Sequence, residues 1–441
     1  MLDATQSGKA PSLATELSPL EAIGRYRWLI CALLFYATTS NYMDRHVLAV
    51  LAPQLQGEIG WSESQYGYIV TAFQAAYALG LLAVGWSLDM VGVRVGYSLA
   101  AVFWSVAAMA HAFARSALSF GTVRFALGFA EAANFPAAVK VVAEWFPRRE
   151  RALATGVFNA GANVGAILTP LLVPWVTLRW GWKWAFLFAG AMGFPWVFLW
   201  LACYRAPQAH PRVSPRELAH ILSDPVEPSV RIPWRTLLAR TETLGLVAAR
   251  FITDPIWWLL LYWVPKFLHA RHGLMLDRMG PPLVIIYMSA TAGGIFGGWL
   301  SGWMIKRGWS VNASRKLALL ACVLMIAPIM FASRASQLST AVLILGLATA
   351  GQQGWASNIF TIVSDVYPRQ AVGSVVGICG FGGALGAALL AGATGLILER
   401  TGSYLPLFVF GGSSYFFGLL ILHLTSPKLA PVGIGDSPSV A

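Results

Sequence analysis

The sequence predicts an all-α membrane protein of twelve transmembrane helices, arranged as two pseudo-symmetric six-helix bundles. Three observations carry that expectation. The chain of 441 residues is 57% hydrophobic and only 11% charged, whereas soluble domains carry about 25% charged residues. It contains twelve apolar stretches, and a helix needs roughly 20 such residues to cross a bilayer. A polar segment rich in arginine and proline follows the sixth stretch and divides the set six and six.

In order, the first span covers 28–51, where thirteen mostly apolar residues lead into "NYMDRHVLAVL" (41–51). The second and third, 64–86 and 95–114, flank "GWSLDMVGVR" (85–94). The fourth, 117–141, is apolar except for charges at Arg124, Glu131 and Lys140. The fifth, 152–175, is glycine-rich and holds Asn159 and Asn163; the sixth covers 183–203. The seventh, 243–268, carries Arg250 and Asp254 just before Pro255. The eighth and ninth cover 281–304 and 316–333. The tenth, 338–363, contains "GQQGWASN" (351–358), and the glycine-rich eleventh and the twelfth cover 371–397 and 404–425.

Around the spans lie a polar tail at 1–27, a linker at 204–240 and a tail at 426–441, leaving bundles at 28–203 and 241–425. The first tail lacks the apolar centre of a cleavable signal. An even span count places both termini on one face. That face collects the larger share of Lys and Arg, including "PRRER" (147–151) and the linker arginines, so it is expected to be cytoplasmic.

The net charge of +12 comes in short clusters between apolar runs, not in a continuous basic face, which argues against nucleic acid. Four scattered cysteines, at 31, 203, 322 and 379, show neither metal spacing nor a disulfide framework. The glycine-rich segments have no preceding strand and no Walker lysine. With no nucleophile–His–acid constellation either, neither an enzyme nor a cofactor is expected.

The halves repeat. "EWFPRRERALATGVFNAGANVGA" from Glu144 and "DVYPRQAVGSVVGICGFGGALGA" from Asp365 align without gaps at an offset of 221 positions. The alignment pairs the acids, Pro147 with Pro368, Arg148 with Arg369, and Gly156, Gly161 and Gly165 with Gly377, Gly382 and Gly386. A weaker pair sets "GWSLDMVGVR" against "GWLSGWMIKR" (298–307), with Gly302 where Asp89 stands. Repeats related by an axis along the membrane normal are a transporter layout.

"GWSLDMVGVR" is similar to the signature between helices 2 and 3 of the major facilitator superfamily. "NYMDRHVLAVLAPQL", "RFALGFAEAANFPAAVKVVAEWFP", "RFITDPIWWLLLYWVPKFL" and "GQQGWASNIFTIVSDVYPRQAVGSVVG" resemble its anion:cation symporter branch, most of all the hexuronate transporters. The resemblance covers nearly all of 25–428. It implies a proton-coupled importer of organic anions, chiefly sugar acids, in the bacterial inner membrane. The expected partners are a small organic anion, protons and the bilayer, with the chain as a monomer. Another organic anion, such as tartrate, an aromatic carboxylate or phosphate, is the rival substrate. A non-transporting sensor is the rival class, though sensors usually carry longer cytoplasmic extensions.

A charge at mid-bilayer costs at least about 2.5–3.5 kcal/mol, so each one kept needs a reason. Arg124 and Glu131 are two turns apart on one face, about 10 Å along the axis. In the fold that the resemblance implies, the first and fourth helices are neighbours, so Arg45 and Arg124 converge on one anionic group beside Asp44 and Glu131. A guanidinium fork binds a carboxylate bidentately, and the two acids are the expected proton-coupling groups. Fixed salt bridges are the plainer reading of the same residues. Tyr42, Tyr77 and Gln74 are candidates for sugar hydroxyls, as are Gln352, Gln353, Trp355, Ser357 and Asn358 of the tenth span. In related hexuronate transporters His often stands where this chain has Gln352. Asn159 and Asn163 either join the cavity or bond helices together. His46 points about 100° away from Arg45 and is expected to pack. Arg250 and Asp254 are either a gate hinge or a self-neutralised pair. Asp89, Arg94, Glu144, Arg148, Asp365 and Arg369, at cytoplasmic helix ends, are expected to cap helices and cross-link the halves during gating.

Overall fold

A computed structural model describes residues 24–224 and 233–430; within its helices, the side chains at 85, 86, 89, 148, 152, 369 and 370 fall outside that description. The expectations for 1–23, 225–232 and 431–441 therefore lie outside the described residues.

All the described regular structure is helical. The first half runs α1 (Tyr26–Ile59), α2 (Glu63–Val91), α3 (Val93–Ala110), α4 (Ala117–Glu131), α5 (Asn134–Trp145), α6 (Arg148–Trp180), α7 (Trp182–Ala191) and α8 (Gly193–Cys203). Two short linker helices follow, α9 (Pro215–Ile221) and α10 (Trp234–Leu238). The second half runs α11 (Thr241–His272), α12 (Leu276–Lys306), α13 (Val311–Ile326), α14 (Leu338–Val366), α15 (Arg369–Thr401) and α16 (Leu405–Thr425).

The fourth span is α4 plus α5, and the sixth is α7 plus α8. Each break has a proline as its cause. Pro136 and Pro195 stand in the first turn of α5 and α8, and a proline ring clashes with the carbonyl four residues earlier. That places the breaks at 132 and 191, as observed. By contrast, α11 runs unbroken through Pro255 and Pro265.

Ten spans among the described residues are long and apolar enough to cross a membrane. The remaining two are α1 and α14, of 34 and 29 residues. They hold "NYMDRH" and "GQQGWASN", the polar stretches in otherwise apolar helices. Length thus makes them spans, while their polarity marks the candidate site.

The repeat persists in three dimensions. Helices α6 and α15 each have 33 residues, start after a proline cap and end at a positive-φ glycine, Gly181 and Gly402. Those glycines keep the same offset of 221. In the first half α1 packs on α6 and α2 on α4; in the second α11 packs on α15 and α12 on α14. Between halves, α2 lies on α15 and α6 on α12, so the contacts exchange under the repeat. The repeated glycines permit the close approaches. A Cβ on Gly165 would meet the Thr39 carbonyl of α1 at 2.6 Å, and one on Gly386 would strike the Phe251 carbonyl of α11.

The start of α1 and the linker helix α9 share one face. There Arg27 binds Glu217 through its backbone N (3.0 Å) and Glu150 through Nε (2.9 Å). Glu150 also meets His220 Nε2 at 2.8 Å, so α9 is tied to the first half. At the opposite, far face the halves are joined. Lys266 Nζ lies 2.6 Å from Glu63 Oε2. Ser62 Oγ and Ser64 N donate to Glu399 at 2.9 and 2.8 Å, and the Tyr66 hydroxyl donates to the Tyr262 carbonyl at 3.0 Å. A little deeper, Thr71 Oγ1 donates to the Ala388 carbonyl at 3.2 Å. These contacts between the halves all lie on the far side. They close the molecule at the far face.

Candidate functional site

Arg45 and Arg124 meet between α1 and α4, with only 2% and 0% of their surface exposed. Arg45 donates from Nε (2.9 Å) and Nη2 (2.8 Å) to Oε2 of Glu131 and from Nη2 to Asn41 Oδ1 at 3.2 Å. Arg124 has no carboxylate partner. It donates to the backbone carbonyls of Asp44 and Arg45, and its Nε has no partner. Neither carboxylate oxygen of Asp44 is hydrogen-bonded, although it lies in the field of both Arg124 and Glu131. Oε1 of Glu131 is also unpartnered. Four charged side chains are therefore gathered in one buried cluster with hydrogen-bonding capacity to spare. A buried polar atom with no partner costs about 1–3 kcal/mol, and such atoms invite a ligand.

Aromatic rings wall the cluster. The Arg45 guanidinium carbon lies 4.7, 5.1, 5.0 and 5.2 Å from the ring centres of Tyr42, Phe73, Tyr77 and Trp258. Arg124 faces Phe73 at 5.0 Å and Tyr262 at 5.8 Å. Rings hold cations electrostatically without consuming their hydrogen bonds. Trp258 and Tyr262 come from α11, so the second half reaches the charges of the first. Sequence reasoning missed Phe73, Trp258, Tyr262 and Asn41. The signal was there: Phe73/Tyr77 and Trp258/Tyr262 are ring pairs four residues apart, which places each pair on one helix face.

Other expected residues are distributed differently. Tyr42 and Tyr77 are half-buried at the cluster. Gln74 is fully buried with both amide atoms unpartnered. It lies one turn after Thr71, which meets α15, and one turn before Tyr77 of the ring wall. Asn163 is half-buried and Asn159 exposed on α6. On α14, Asn358 donates to the carbonyls of Gly297 and Gly354, both at 2.9 Å, tying α14 to α12. Trp355 packs edge-on against Tyr415 at 5.3 Å. The Ser357 hydroxyl donates back to Gln353 O at 3.0 Å. Gln352 keeps an unpartnered Oε1, and Gln353 is half-buried. Much of the polarity of the tenth span thus serves helix packing.

His46 packs between Tyr42 and, across the seam, Tyr287 of α12, at 6.0 and 5.8 Å. Arg250 and Asp254 form an intrahelical ion pair of 2.7 Å. Of the gating set, Arg94 donates to the Leu201 carbonyl at 2.6 Å, Glu144 accepts from the Tyr204 hydroxyl at 2.6 Å, and Asp365 accepts from Arg315 at 2.9 Å. Burial pushes the Tyr204 phenol up in pKa and keeps it a donor. Each of these contacts stays within one half. Asp89, Arg148 and Arg369 have side chains outside the described residues.

Two repeat-related bundles with a buried charge cluster at their junction define the architecture of a secondary transporter. The family model of the Major Facilitator Superfamily matches residues 30–391, and the chain belongs to that superfamily. It is 32% identical over 390 residues to the hexuronate transporter of Escherichia coli K12, covering 87% of this chain and 90% of the relative. It is 30% identical over 424 residues to a D-galactonate transporter of Escherichia coli O6:H1, covering 93% and 98%. Among solved structures, a D-xylose–proton symporter superposes with a TM-score of 0.72 at 14% identity, over 92% of this chain and 98% of that one. A bacterial homologue of the human lysosomal transporter Spinster, in an inward-facing and occupied conformation, gives 0.71 at 18% identity, over 92% and 96%.

Proposed function

We propose that this chain imports a sugar acid, a hexuronate or a close relative such as an aldonate, by proton symport and alternating access. It works in a bacterial inner membrane with both termini in the cytoplasm. On this reading the conformation described above faces inward.

The observation that carries the reading is Arg124. Its guanidinium is wholly buried, is satisfied only by backbone carbonyls, and has no acid of its own. A planar fork in that condition suits a carboxylate. Asp44, Arg45, Arg124 and Glu131 together carry no net charge when all are ionised. An incoming monoanion upsets that balance in a medium where stray charge is costly. One proton taken up by Glu131 or Asp44 restores it and frees Arg45 to turn from Glu131 to the substrate. Tyr42, Tyr77 and the amides of Gln352 and Gln353 are left to meet hydroxyls. The identity shared with the hexuronate and galactonate transporters supports the substrate class.

Reconstituted in vesicles, the protein is expected to concentrate a hexuronate or aldonate when a proton gradient is imposed, and to lose that accumulation with a protonophore. Uptake indifferent to the gradient would remove the coupling. Uptake of no sugar acid at all would remove the substrate class.

A further inference from the structure

We propose that Arg250 and Asp254 of α11 form a second carboxylate-receiving and proton-exchanging site, which suits this protein to six-carbon sugar diacids. The proposal rests on the sugar-acid reading above and specifies the substrate within it.

The pair is built to be reached. Arg250 directs Nε (2.8 Å) and Nη2 (2.7 Å) to the same oxygen, Oδ2 of Asp254. Among the described residues, Nη1 and the second carboxylate oxygen have no hydrogen-bond partner. The two side chains keep 14% and 22% of their surface exposed, unlike the closed Arg45–Glu131 pair at 2% and 0%. Phe360 of α14 lies under the guanidinium at 4.9 Å. On the other side Gly383 of α15 leaves room for the Asp254 carboxylate, where a Cβ would strike Oδ2. The pair therefore sits between the faces of α11, α14 and α15. An ion pair turned toward lipid would be costly.

Its position fits a second anionic group. Arg250, Asp254, Trp258 and Tyr262 follow one another every four residues on α11, and Trp258 is the ring that touches Arg45. Arg250 is two turns from Trp258, away from the closed far face, about 12 Å along the axis. An extended six-carbon diacid, flanked by a guanidinium at each end, is of comparable length.

Charge balance makes the same point. The Arg45 cluster and the Arg250–Asp254 pair are each neutral as they stand. A monoanion is balanced by one proton on the first cluster, whereas a diacid brings a second negative charge. If Asp254 takes a proton, Arg250 is released with a net positive charge to receive that second carboxylate. Substrate carboxylates and protons are then matched one for one, site by site.

The test compares galactarate, a diacid, with galacturonate, a monoacid, in vesicles containing the full chain. The readout is the ratio of the two uptake rates, which does not depend on how much protein folds. Wild type is expected to favour the diacid in direct competition. Exchanging both charges (Arg250→Gln with Asp254→Asn) should lower the diacid-to-monoacid ratio by about tenfold or more, the scale of one charge-assisted contact. Asp254→Asn alone should lower the number of protons carried per diacid but not per monoacid. A wild type that carries galacturonate without favouring galactarate, or a ratio unchanged in the double variant, would overturn the second site while leaving the parent reading intact. A wild type that carries neither of these acids but does carry an aldonate would overturn the second site alone, and one that carries no sugar acid would overturn both.

Discussion

Arg124 differs from Arg45 in one respect that decides its chemistry: Arg45 already holds Glu131, while Arg124 holds only carbonyl oxygens. Arg124→Lys keeps the charge but removes the fork. With one charge-assisted bond lost, worth about 1.5–3 kcal/mol, sugar-acid affinity should fall about tenfold to a hundredfold in a binding titration. Wild-type affinity in that variant would mean that the guanidinium is structural. Glu131→Gln fixes the acid in its neutral form. It should still exchange labelled for unlabelled substrate across a vesicle membrane yet fail to accumulate substrate against a gradient; retained accumulation would take Glu131 out of coupling. These residues were legible because charge is rare in this sequence, so each one in a span stood out. Part of the aromatic wall, Tyr42 and Tyr77, was legible; Phe73, Trp258 and Tyr262 were passed over despite their spacing, because the chain is 13% aromatic and rings near a site look like rings in a core.

Helix α6 rests on α1 through Gly165, and α15 rests on α11 through its repeat partner, Gly386. Placing Val at Gly165 drives a side chain into the Thr39 carbonyl, which has no rotamer by which to yield. A loss of about 1–3 kcal/mol is expected, visible as a lower melting temperature in detergent, and an unchanged melting temperature would show that the two helices separate easily. At the far face, Glu63 of α2 and Lys266 of α11 form an ion pair that joins the halves. Lys266→Ala should favour conformations open at that face. Spin labels at the far ends of α2 and α11 would then report longer distances than in wild type, whereas an unaltered distance distribution would show that the pair locks nothing. Helix positions were readable from apolar runs, and the breaks at 132 and 191 follow from prolines four residues on. Which helix ends touch was not readable, since the Glu63–Lys266 pair spans 203 positions and leaves no trace in local periodicity.

At the scale of the whole molecule, the repeat is the most informative feature of the sequence. Its offset of 221, seen first in an acid, a proline and three glycines, recurs in the caps and lengths of α6 and α15 and in the exchange of contacts between halves. It also shows where symmetry is broken for function. The first half concentrates four charges at α1 and α4, while the second supplies rings, amides and the ion pair Arg250–Asp254. The sequence does not reveal that the far face is shut, because a transporter's sequence must be compatible with every state of its cycle. Nor did it reveal that α9 is tied to the first half through Arg27, Glu150 and Glu217, since the linker's polarity looks the same docked or free. The central claim is that an anion and a proton occupy one buried cluster together, and each must then strengthen the other's binding. The most direct measurement is proton exchange on binding: a sugar acid is added to the purified protein in weakly buffered detergent and the pH is followed. Net proton uptake in wild type, reduced in Glu131→Gln, is the predicted result, and substrate binding to wild type with no proton taken up would contradict it.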